Sequence, residues 1–439
     1  MRVRITPTKL KGVITPPPSK SQAHRLVLGA ALGNGTSAVR NLSFSQDIRA
    51  TLSCVEQLGA AWEERNGVAA IRGIGQGTPV LQADGLPHFH CGESGSTLRF
   101  MIPIALAVCG GGVFTGEGRL MERPQQPYFD LFDEKGIEWK LENGALTVRG
   151  RLEPGDYALA GNVSSQFFTG LLYALALLDG PSTLRSTTKL ESVDYIMMTL
   201  DVLELAGVKA GFRNTTELTV APGTFGAIDA AVEADWSQAA FWYAAAGIGN
   251  EVEVIGMNMD SHQGDMSILD WGDRIEGKPL DSGFVVPIWG EGEIPAASDR
   301  EENTPHTTSI VVSRCPDLVP PASAWGALMN GVLYLENAAR LRIKESDRLA
   351  AVHQTLEAMG AKVWEEPERL IIEGQASLKG GVTVDCCNDH RIAMMAAIAA
   401  TRCEEPVTLA GAECVRKSYP NFWDDYEALG GLIEREGTL

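Results

Sequence analysis

The sequence has few of the features that place a protein in a membrane, outside the cell or on a nucleic acid. No apolar run among its 439 residues is long enough to span a bilayer. The segment Met1–Ile5 lacks the apolar stretch of a signal peptide, and its alternation predicts a strand. Lys and Arg number 37 against 56 Asp and Glu, and the resulting net charge of −19 disfavours nucleic acids and anionic membranes as partners.

Patterns for disulfides and for metals are also missing. The eight cysteines are scattered without a C-x-x-C pair, and the seven histidines show no ligand spacing such as H-E-x-x-H. Dispersed thiols in a chain of this length are typical of the reducing cytoplasm. We therefore expect a cytoplasmic monomer with no metal and no cofactor, and the 44% of hydrophobic residues allow two domains with separate cores.

Against this acidic background, a first basic segment is P-S-K-S-Q-A-H-R over residues 18–25. It places Lys20, Ser21 and Arg25 where a loop is expected to turn into an apolar helix over residues 26–32. The start of a helix offers unpaired N–H groups and the positive end of the helix dipole, which suit phosphate or carboxylate. The segment therefore predicts an anion site.

A second basic segment is R-L-R-I-K-E-S-D-R over residues 340–348. Lys344 and Arg348 are four positions apart, which predicts that they share one face of a helix. Glu345 lies between them, and a carboxylate held among cations near an anionic substrate is a candidate for proton transfer. The alternative is an ordinary solvated helix face of mixed charges.

A pattern of helix, glycine, strand, turn and strand recurs along the chain. Its glycines fit the position just after a helix, where a left-handed residue ends the helix; they are Gly59, Gly136, Gly207, Gly360 and Gly430. Their spacing is roughly 70 residues except for one interval of about twice that length, which indicates six units with a weak one within residues 259–310. The alternative is that helix, glycine and strand follow one another in any α/β protein. Crossings between domains are expected near Pro16–Pro18 and Val232–Asp235.

Five further motifs stand where loops open into helices. They are C-G-E-S-G-S-T-L-R over 91–99, M-E-R-P over 121–124, V-S-S-Q-F over 163–167, N-D-H-R over 388–391 and R-K-S-Y-P over 416–420. In series with the two basic segments, they resemble the enolpyruvyl transferase family from about residue 10 to about residue 430. The motifs are most similar to those of members that transfer the enolpyruvyl group of phosphoenolpyruvate to the 5-hydroxyl of shikimate 3-phosphate, in the shikimate pathway. Two alternatives stay open: a member that acts on a UDP-amino sugar, and a non-catalytic relative that binds phosphorylated ligands.

The resemblance implies an α/β (α+β) fold, a two-domain inside-out α/β barrel of six βαβαββ repeats. One domain is inserted into the other, so we expect a discontinuous domain of residues 1–14 and 232–439 and an inserted domain of residues 15–231. The two small-molecule substrates are the implied partners. Because the matched residues fall in both domains, we expect the domains to close when shikimate 3-phosphate binds.

The resemblance also implies roles for individual residues. Those matched to phosphoenolpyruvate are Lys20, Gly95, Arg123, Gln166, Arg348, Arg391 and Lys417. Those matched to shikimate 3-phosphate are Lys20, Ser21, Arg25, Ser164, Ser165, Gln166, Ser192, Tyr195, Asp317 and Lys344. The implied catalytic residues are Asp317 near the attacking hydroxyl, Glu345 as proton donor to the enol methylene, and Lys20.

The chain departs from the family pattern at several of these motifs. Glu93 stands where members often have Asn, Phe100 where a Pro is common, and Val193-Asp194 where a Lys-Pro pair precedes Tyr195. Arg340 also stands where some members have Asn. Simpler interpretations of three residues stay open: Asp317 as a helix cap, His390 as a packed side chain, and Gly95 as a turn residue only.

Overall fold

The computed structural model describes residues 1–276 and 305–437. Within these ranges the strands are β1 (Arg2–Thr6), β2 (Lys11–Ile14), β3 (Thr36–Arg40), β4 (Ala61–Arg65), β5 (Val68–Arg72), β6 (His88–His90), β7 (Gly111–Thr115), β8 (Glu138–Glu142), β9 (Ala145–Arg149), β10 (Asp156–Leu159), β11 (Ser182–Ser186), β12 (Ala210–Asn214), β13 (Glu217–Val220), β14 (Asp229–Ala231), β15 (Glu251–Val254), β16 (His306–Val311), β17 (Gly331–Glu336), β18 (Lys362–Glu365), β19 (Leu370–Glu373), β20 (Thr383–Asp385), β21 (Val407–Ala410) and β22 (Leu432–Glu436). The α-helices are α1 (Lys20–Ala31), α2 (Gln46–Gln57), α3 (Gly95–Cys109), α4 (Gln126–Lys135), α5 (Gln166–Ala176), α6 (Val193–Leu205), α7 (Trp236–Gly247), α8 (Ile268–Ile275), α9 (Val319–Gly326), α10 (Arg348–Ala358), α11 (His390–Ala400) and α12 (Phe422–Ala428).

Residue contacts divide the chain into two compact units. Unit 1 consists of Met1–Pro17 and Ala234–Leu439, and unit 2 consists of Pro18–Glu233. The divisions fall inside the Pro16–Pro18 and Val232–Asp235 segments, a few residues beyond the predicted boundaries. Unit 2 is therefore a single continuous stretch, whereas unit 1 is built from both sides of it.

Unit 2 contains three four-stranded sheets of one design. Their strand orders are β14-β3-β5-β4, β6-β7-β9-β8 and β10-β11-β13-β12. In each sheet the first two strands pair in parallel and the rest are antiparallel. The second and third sheets follow the order βαβαββ along the chain, and the first takes its edge strand β14 from the end of the unit.

Local sequence accounts for the hairpins and helix ends of these sheets. Asn66-Gly67 and Asn143-Gly144 form the two-residue hairpin turns, with φ of 52°, 75°, 51° and 73°, because such a turn requires two residues that tolerate positive φ. Gly136 and Gly207 follow α4 and α6 at φ of 67° and 79°, as the repeat pattern predicts.

The core of unit 2 lies around helices rather than between sheets. Helix α3 is buried without interruption from Thr97 to Leu106 and α5 from Phe167 to Ala176. Helices that are hydrophobic on all sides belong in the interior. The site motifs 91–99 and 163–167 therefore open into the most buried helices of this unit.

Unit 1 repeats the design with strands from both ends of the chain. Its four-stranded sheets are β20-β21-β1-β22 and β16-β17-β19-β18, and β15 pairs with β2 in parallel. Strand β1 lies between β21 and β22 and is antiparallel to both, with Val3 opposite Leu409 and Arg435. Helix α11 is buried from His390 to Ala400.

The mixed α/β fold class is confirmed. Five units have a complete four-stranded sheet, and β2 with β15 represent the sixth in the part of the chain that the structure describes. The weak unit predicted within residues 259–310 extends into residues 277–304, which lie outside the described ranges, as does most of the loop that its Gly- and Pro-rich sequence predicts over 291–305. Among helices in residues 1–276 and 305–437, none is both long and apolar enough to cross a membrane.

Candidate active site

The first basic segment forms the start of helix α1. Ser19 caps the helix, and its hydroxyl accepts a hydrogen bond from the Gln22 N–H at 3.3 Å. The helix begins at Lys20, so the predicted start near residue 26 is wrong by nearly two turns. The Ser19 cap explains the earlier start, because its hydroxyl oxygen satisfies an N–H group that would otherwise be free in the first turn of the helix. Lys20 Nζ contacts Asp47 Oδ2 of α2 at 3.0 Å, a partner that the motif does not indicate.

Arg25 is buried one turn further along α1. Its Nε donates to Thr199 Oγ1 at 2.9 Å and its Nη2 to Thr169 Oγ1 at 3.3 Å. Burial lowers the pKa of Arg25 to about 10, so the guanidinium is still a cation at neutral pH. Hydroxyl groups from α5 and α6 thus hold this buried cation.

Two aromatic rings complete the surroundings of Arg25. Its guanidinium carbon lies 5.8 Å from the ring centre of Tyr195 and 5.4 Å from that of Phe100. Both distances are within the range of cation–π attraction. Phe100, a departure from the family pattern, therefore supports the arginine of the first basic segment.

The glycine of the 91–99 motif lies against an arginine and an amide. A Cβ atom at Gly95 would be 2.7 Å from Arg123 Nη1 and 3.6 Å from Gln166 Oε1. Real Cβ atoms do not approach other atoms this closely, so any larger residue at position 95 would have to displace the Arg123 side chain. Three residues that the resemblance matches to phosphoenolpyruvate are thereby brought together in unit 2.

Arg99 is a member of this group that was not assigned a role. Its Nη1 donates to Gln166 Oε1 at 2.7 Å and its Nη2 to the Pro124 carbonyl at 3.0 Å. Gln166 Nε2 in turn donates to Ser96 Oγ at 2.9 Å. Arg99 closes the 91–99 motif and could have been singled out there as a buried cation.

Glu93 turns toward the loop that precedes the M-E-R-P motif. A Cβ at Gly118 would lie 2.8 Å from the Glu93 carboxyl carbon. Gly118 has φ of +54°, so its backbone also favours glycine. The unusual acid of the 91–99 motif is thus packed against this turn.

Ser21 of the shikimate set lies in the first turn of α1, and the other three serines stand at the starts of α5 and α6. Ser164 Oγ accepts from the Gln166 N–H at 3.3 Å, and Ser165 is the N-cap of α5. Ser192 precedes α6 with φ of 54° and ψ of 48°. A serine in the left-handed region is uncommon and marks a turn of defined shape.

In unit 1, Arg348 is the centre of a group of charges that we term the carboxylate–cation cluster: Asp317, Lys344, Glu345, Arg348, Asp389 and Arg391. Arg348 is 1% exposed. Its Nη1 donates to Asp317 Oδ1 at 2.8 Å, its Nε to Asp389 Oδ2 at 2.9 Å, and its Nη2 to Glu345. The alternative of a solvated helix face is therefore wrong for Arg348.

The Asp317 carboxylate contacts three cations of the cluster. Besides Arg348, it contacts Lys344 Nζ through Oδ1 at 3.2 Å and Arg391 Nη2 through Oδ2 at 3.2 Å. Burial opposes ionisation of Asp317, but Arg391, Lys344 and Arg348 outweigh it and hold the pKa of this carboxyl well below its usual range. Burial lowers the pKa of Lys344, and Asp317 partly offsets that effect.

The prediction that Lys344 and Arg348 share a helix face is wrong. Lys344 has extended backbone after a short 3₁₀ helix, Ala339–Ile343, and α10 begins only at Arg348. The reason is Asp347, whose carboxylate accepts from the Ala350 N–H at 3.2 Å and caps α10. The two cations meet instead at the Asp317 carboxylate.

Asp389 links the cluster to the N–D–H–R motif, and sequence reasoning missed it. Its side chain caps α11 by accepting from the Arg391 N–H at 3.0 Å, and it also accepts from Ser346 Oγ at 3.0 Å. It is fully buried. The signal was available, because Asp directly before an apolar helix is a preferred cap.

Lys417 and His390 lie at the same end of α11. Lys417 Nζ donates to the Asn388 carbonyl at 2.6 Å. Cys387 and Asn388 both have positive φ, 53° and 51°, and lead the chain into the helix. His390 is buried within α11. Throughout residues 1–276 and 305–437, no group of three His, Cys, Asp or Glu side chains is placed to hold a metal ion.

Comparisons with known proteins bear on this arrangement. The family model described as EPSP synthase (3-phosphoshikimate 1-carboxyvinyltransferase) matches residues 5–426. The 3-phosphoshikimate 1-carboxyvinyltransferases of Clostridium kluyveri and Clostridium beijerinckii are 43% and 42% identical, and each alignment covers 98% of both chains. An EPSP synthase structure from Acinetobacter baumannii matches with a TM-score of 0.75 at 24% identity over 100% of both chains, which shows the same fold. The resemblance to enolpyruvyl transferases is confirmed, and the chain belongs to the EPSP synthase (3-phosphoshikimate 1-carboxyvinyltransferase) family.

Proposed function

We propose that the chain transfers the enolpyruvyl group of phosphoenolpyruvate to the 5-hydroxyl of shikimate 3-phosphate and releases phosphate. The observation that carries this proposal is the carboxylate–cation cluster, in which Asp317 and Glu345 both contact the buried Arg348. The reaction needs a proton acceptor, a proton donor and fixed cations, and this cluster contains all three. A cytoplasmic location and a monomeric state stay predictions from the sequence.

The cations suit the substrates. Both substrates carry a phosphate and a carboxylate, so bringing them together costs electrostatic repulsion that fixed Lys and Arg groups offset. We propose that each unit contributes cations in the roles that the family resemblance implies. Unit 2 contributes Lys20, Arg25 and Arg123, and unit 1 contributes Lys344, Arg348, Arg391 and Lys417.

The chemistry assigns different work to the two carboxylates. The 5-hydroxyl oxygen bonds to C2 of phosphoenolpyruvate, its proton passes to Asp317, and C3 takes a proton from Glu345. The tetrahedral intermediate then loses phosphate from C2, which takes up the proton held by Asp317. C3 returns a proton to Glu345, which restores the double bond and both carboxyl groups. Lys20 neutralises charge that develops on the phosphate as it leaves.

Asp317 has to gain basicity for this role. Without substrate, three cations hold its pKa low, which makes it a weak proton acceptor. When the anionic groups of a substrate engage Lys344 and Arg391, these cations share their charge between two partners. The pKa of Asp317 then rises toward the value that proton transfer requires.

A phosphate-release assay tests the proposal. We expect the purified full chain to release inorganic phosphate only when phosphoenolpyruvate and shikimate 3-phosphate are both present, and to do so equally after treatment with EDTA. No release with both substrates would overturn the proposal. Release with UDP-N-acetylglucosamine in place of shikimate 3-phosphate would favour the sugar-directed alternative, and a requirement for a divalent ion would contradict the metal-free prediction.

The substrates should respond differently to the loss of two arginines of unit 2. Arg25→Ala is expected to weaken shikimate 3-phosphate, and Arg123→Ala to weaken phosphoenolpyruvate. Each removes a charge-assisted contact of roughly 1.5–3 kcal/mol, or about 10- to 150-fold in Kd. Titration calorimetry measures both constants, and thermal unfolding of each variant checks that it is folded. If the two ligand effects are exchanged, the assignment of these residues is wrong.

A further inference from the structure

A chain of buried hydrogen bonds runs through unit 2 from α1 to the start of α3. His24 Nδ1 lies 2.7 Å from Thr51 Oγ1, which lies 2.7 Å from Thr97 Oγ1. Thr97 Oγ1 lies 2.8 Å from Ser94 Oγ. All four side chains are at most 1% exposed. They join three helices, and the proposed mechanism uses none of them.

The direction of donation along this hydrogen-bond chain follows from the donors and acceptors at its ends. Ser94 Oγ accepts from both the Thr97 N–H and the Thr97 hydroxyl. Thr97 has no second hydroxyl proton, so it accepts from Thr51, and Thr51 in turn accepts from His24 Nδ1–H. A longer contact of 3.4 Å from Thr51 Oγ1 to the Asp47 carbonyl competes weakly.

The histidine is neutral in this arrangement. Burial, together with the nearby charges of Lys20 and Arg25, lowers the pKa of His24 well below its usual range. Its Nε2 has no hydrogen-bond partner among the described residues. A buried N–H without a partner is rarer than an unpaired acceptor, which places the single proton on Nδ1. His24 is therefore the first donor of a one-way chain.

Both ends of this hydrogen-bond chain adjoin residues assigned to the substrates. His24 lies one helical turn after Lys20 and directly before Arg25. Ser94 caps α3 directly before Gly95, where a Cβ would be 2.7 Å from Arg123 Nη1. With so little space at Gly95, a small shift of the start of α3 would change the position available to Arg123.

We infer that His24 is a positioning residue that holds the start of α3, Ser94 and Gly95, through Thr51 and Thr97, and that it thereby sets the affinity for phosphoenolpyruvate. This inference rests on the proposed function. It predicts an effect on the affinity for phosphoenolpyruvate in particular, because the hydrogen-bond chain ends at the start of α3, beside Arg123.

The test compares side chains of matched shape. Asn and Leu are similar in shape, and the Asn amide nitrogen stands where His carries Nδ1, so His24→Asn keeps the donor and His24→Leu removes it. Thr51→Val breaks the middle of the chain at constant shape. Thr355→Val, a buried threonine in unit 1, is the control. The assay gives kcat and both KM values, with wild-type protein run alongside.

We expect His24→Leu and Thr51→Val each to raise the KM for phosphoenolpyruvate by about 3- to 10-fold, with little change in kcat or in the KM for shikimate 3-phosphate. The double variant should be no worse than either single one, because both break the same chain. His24→Asn should recover most of the affinity. Equal KM values in His24→Leu and His24→Asn would overturn the inference, as would variants that lose only thermal stability. If His24→Leu does not fold, the KM of Thr51→Val for phosphoenolpyruvate decides whether the inference holds. An inactive wild-type protein would instead reject the proposed function.

Discussion

Replacement of Glu345 by Gln is expected to lower kcat by about 10²- to 10⁴-fold, the usual contribution of a positioned acid or base. Gln keeps the shape of Glu and an oxygen that can accept from Arg348, the partner of Glu345 in the cluster. It cannot exchange a proton with the substrate carbon. Both substrates should therefore still bind, which calorimetry measures separately from the steady-state rate.

A matched control for this variant lies in the same unit. Glu365 Oε1 contacts Arg342 Nη1 at 2.8 Å, so Glu365→Gln alters another Glu–Arg pair without touching the proposed chemistry. It should leave kcat close to that of the wild type. A Glu345→Gln enzyme that keeps more than a tenth of the wild-type kcat would contradict the role of Glu345 as proton donor.

Replacement of Asp389 by Ala is expected to destabilise unit 1 by about 3–5 kcal/mol, as when one partner of a buried ion pair is removed. Asp389 is fully buried and contacts the Nε of Arg348, which is itself almost without exposure. The substitution leaves a buried guanidinium with fewer partners and also removes the cap of α11. Urea unfolding followed by tryptophan fluorescence measures the loss, since Trp236, Trp242 and Trp325 report on unit 1.

Two further variants separate the buried charge from a general effect of losing a carboxylate. Glu251→Ala removes an exposed partner of Lys9 and Lys11, and exposed pairs contribute little. Asp389→Ala combined with Arg348→Met should regain part of the lost stability, because the buried guanidinium that lacks its Asp389 partner is then removed as well. Similar unfolding midpoints for Asp389→Ala and Glu251→Ala would refute the prediction.

Local patterns in the sequence account for most of the repeated architecture. Gly136 and Gly207 end their helices with left-handed backbone, and Asn66-Gly67 and Asn143-Gly144 turn their hairpins. Each feature depends on residues within a few positions of one another, so the sequence alone is sufficient to predict it.

Contacts between distant residues could not be predicted in this way. Arg348 meets Asp389 and Asp317, which are 41 and 31 positions away. The motifs indicated charges at these places, but only the folded chain determines which carboxylate meets which cation. A single cap also changes which residues share the helix. Because Asp347 caps α10, the helix begins at Arg348 and Lys344 lies outside it.

The position of β1 has a consequence for the order in which the parts of the protein can fold during synthesis. Residues Arg2–Thr6 are translated before unit 2, but their partners in the sheet, Val407–Ala410 and Leu432–Glu436, are translated after it. Unit 2 is continuous from Pro18 to Glu233, so its core can form while the later half of the chain is still being translated. Strand β1 cannot pair within its sheet until those residues have been made, and the exposed charges of Arg2 and Arg4 on one face of the strand disfavour pairing with other chains until then.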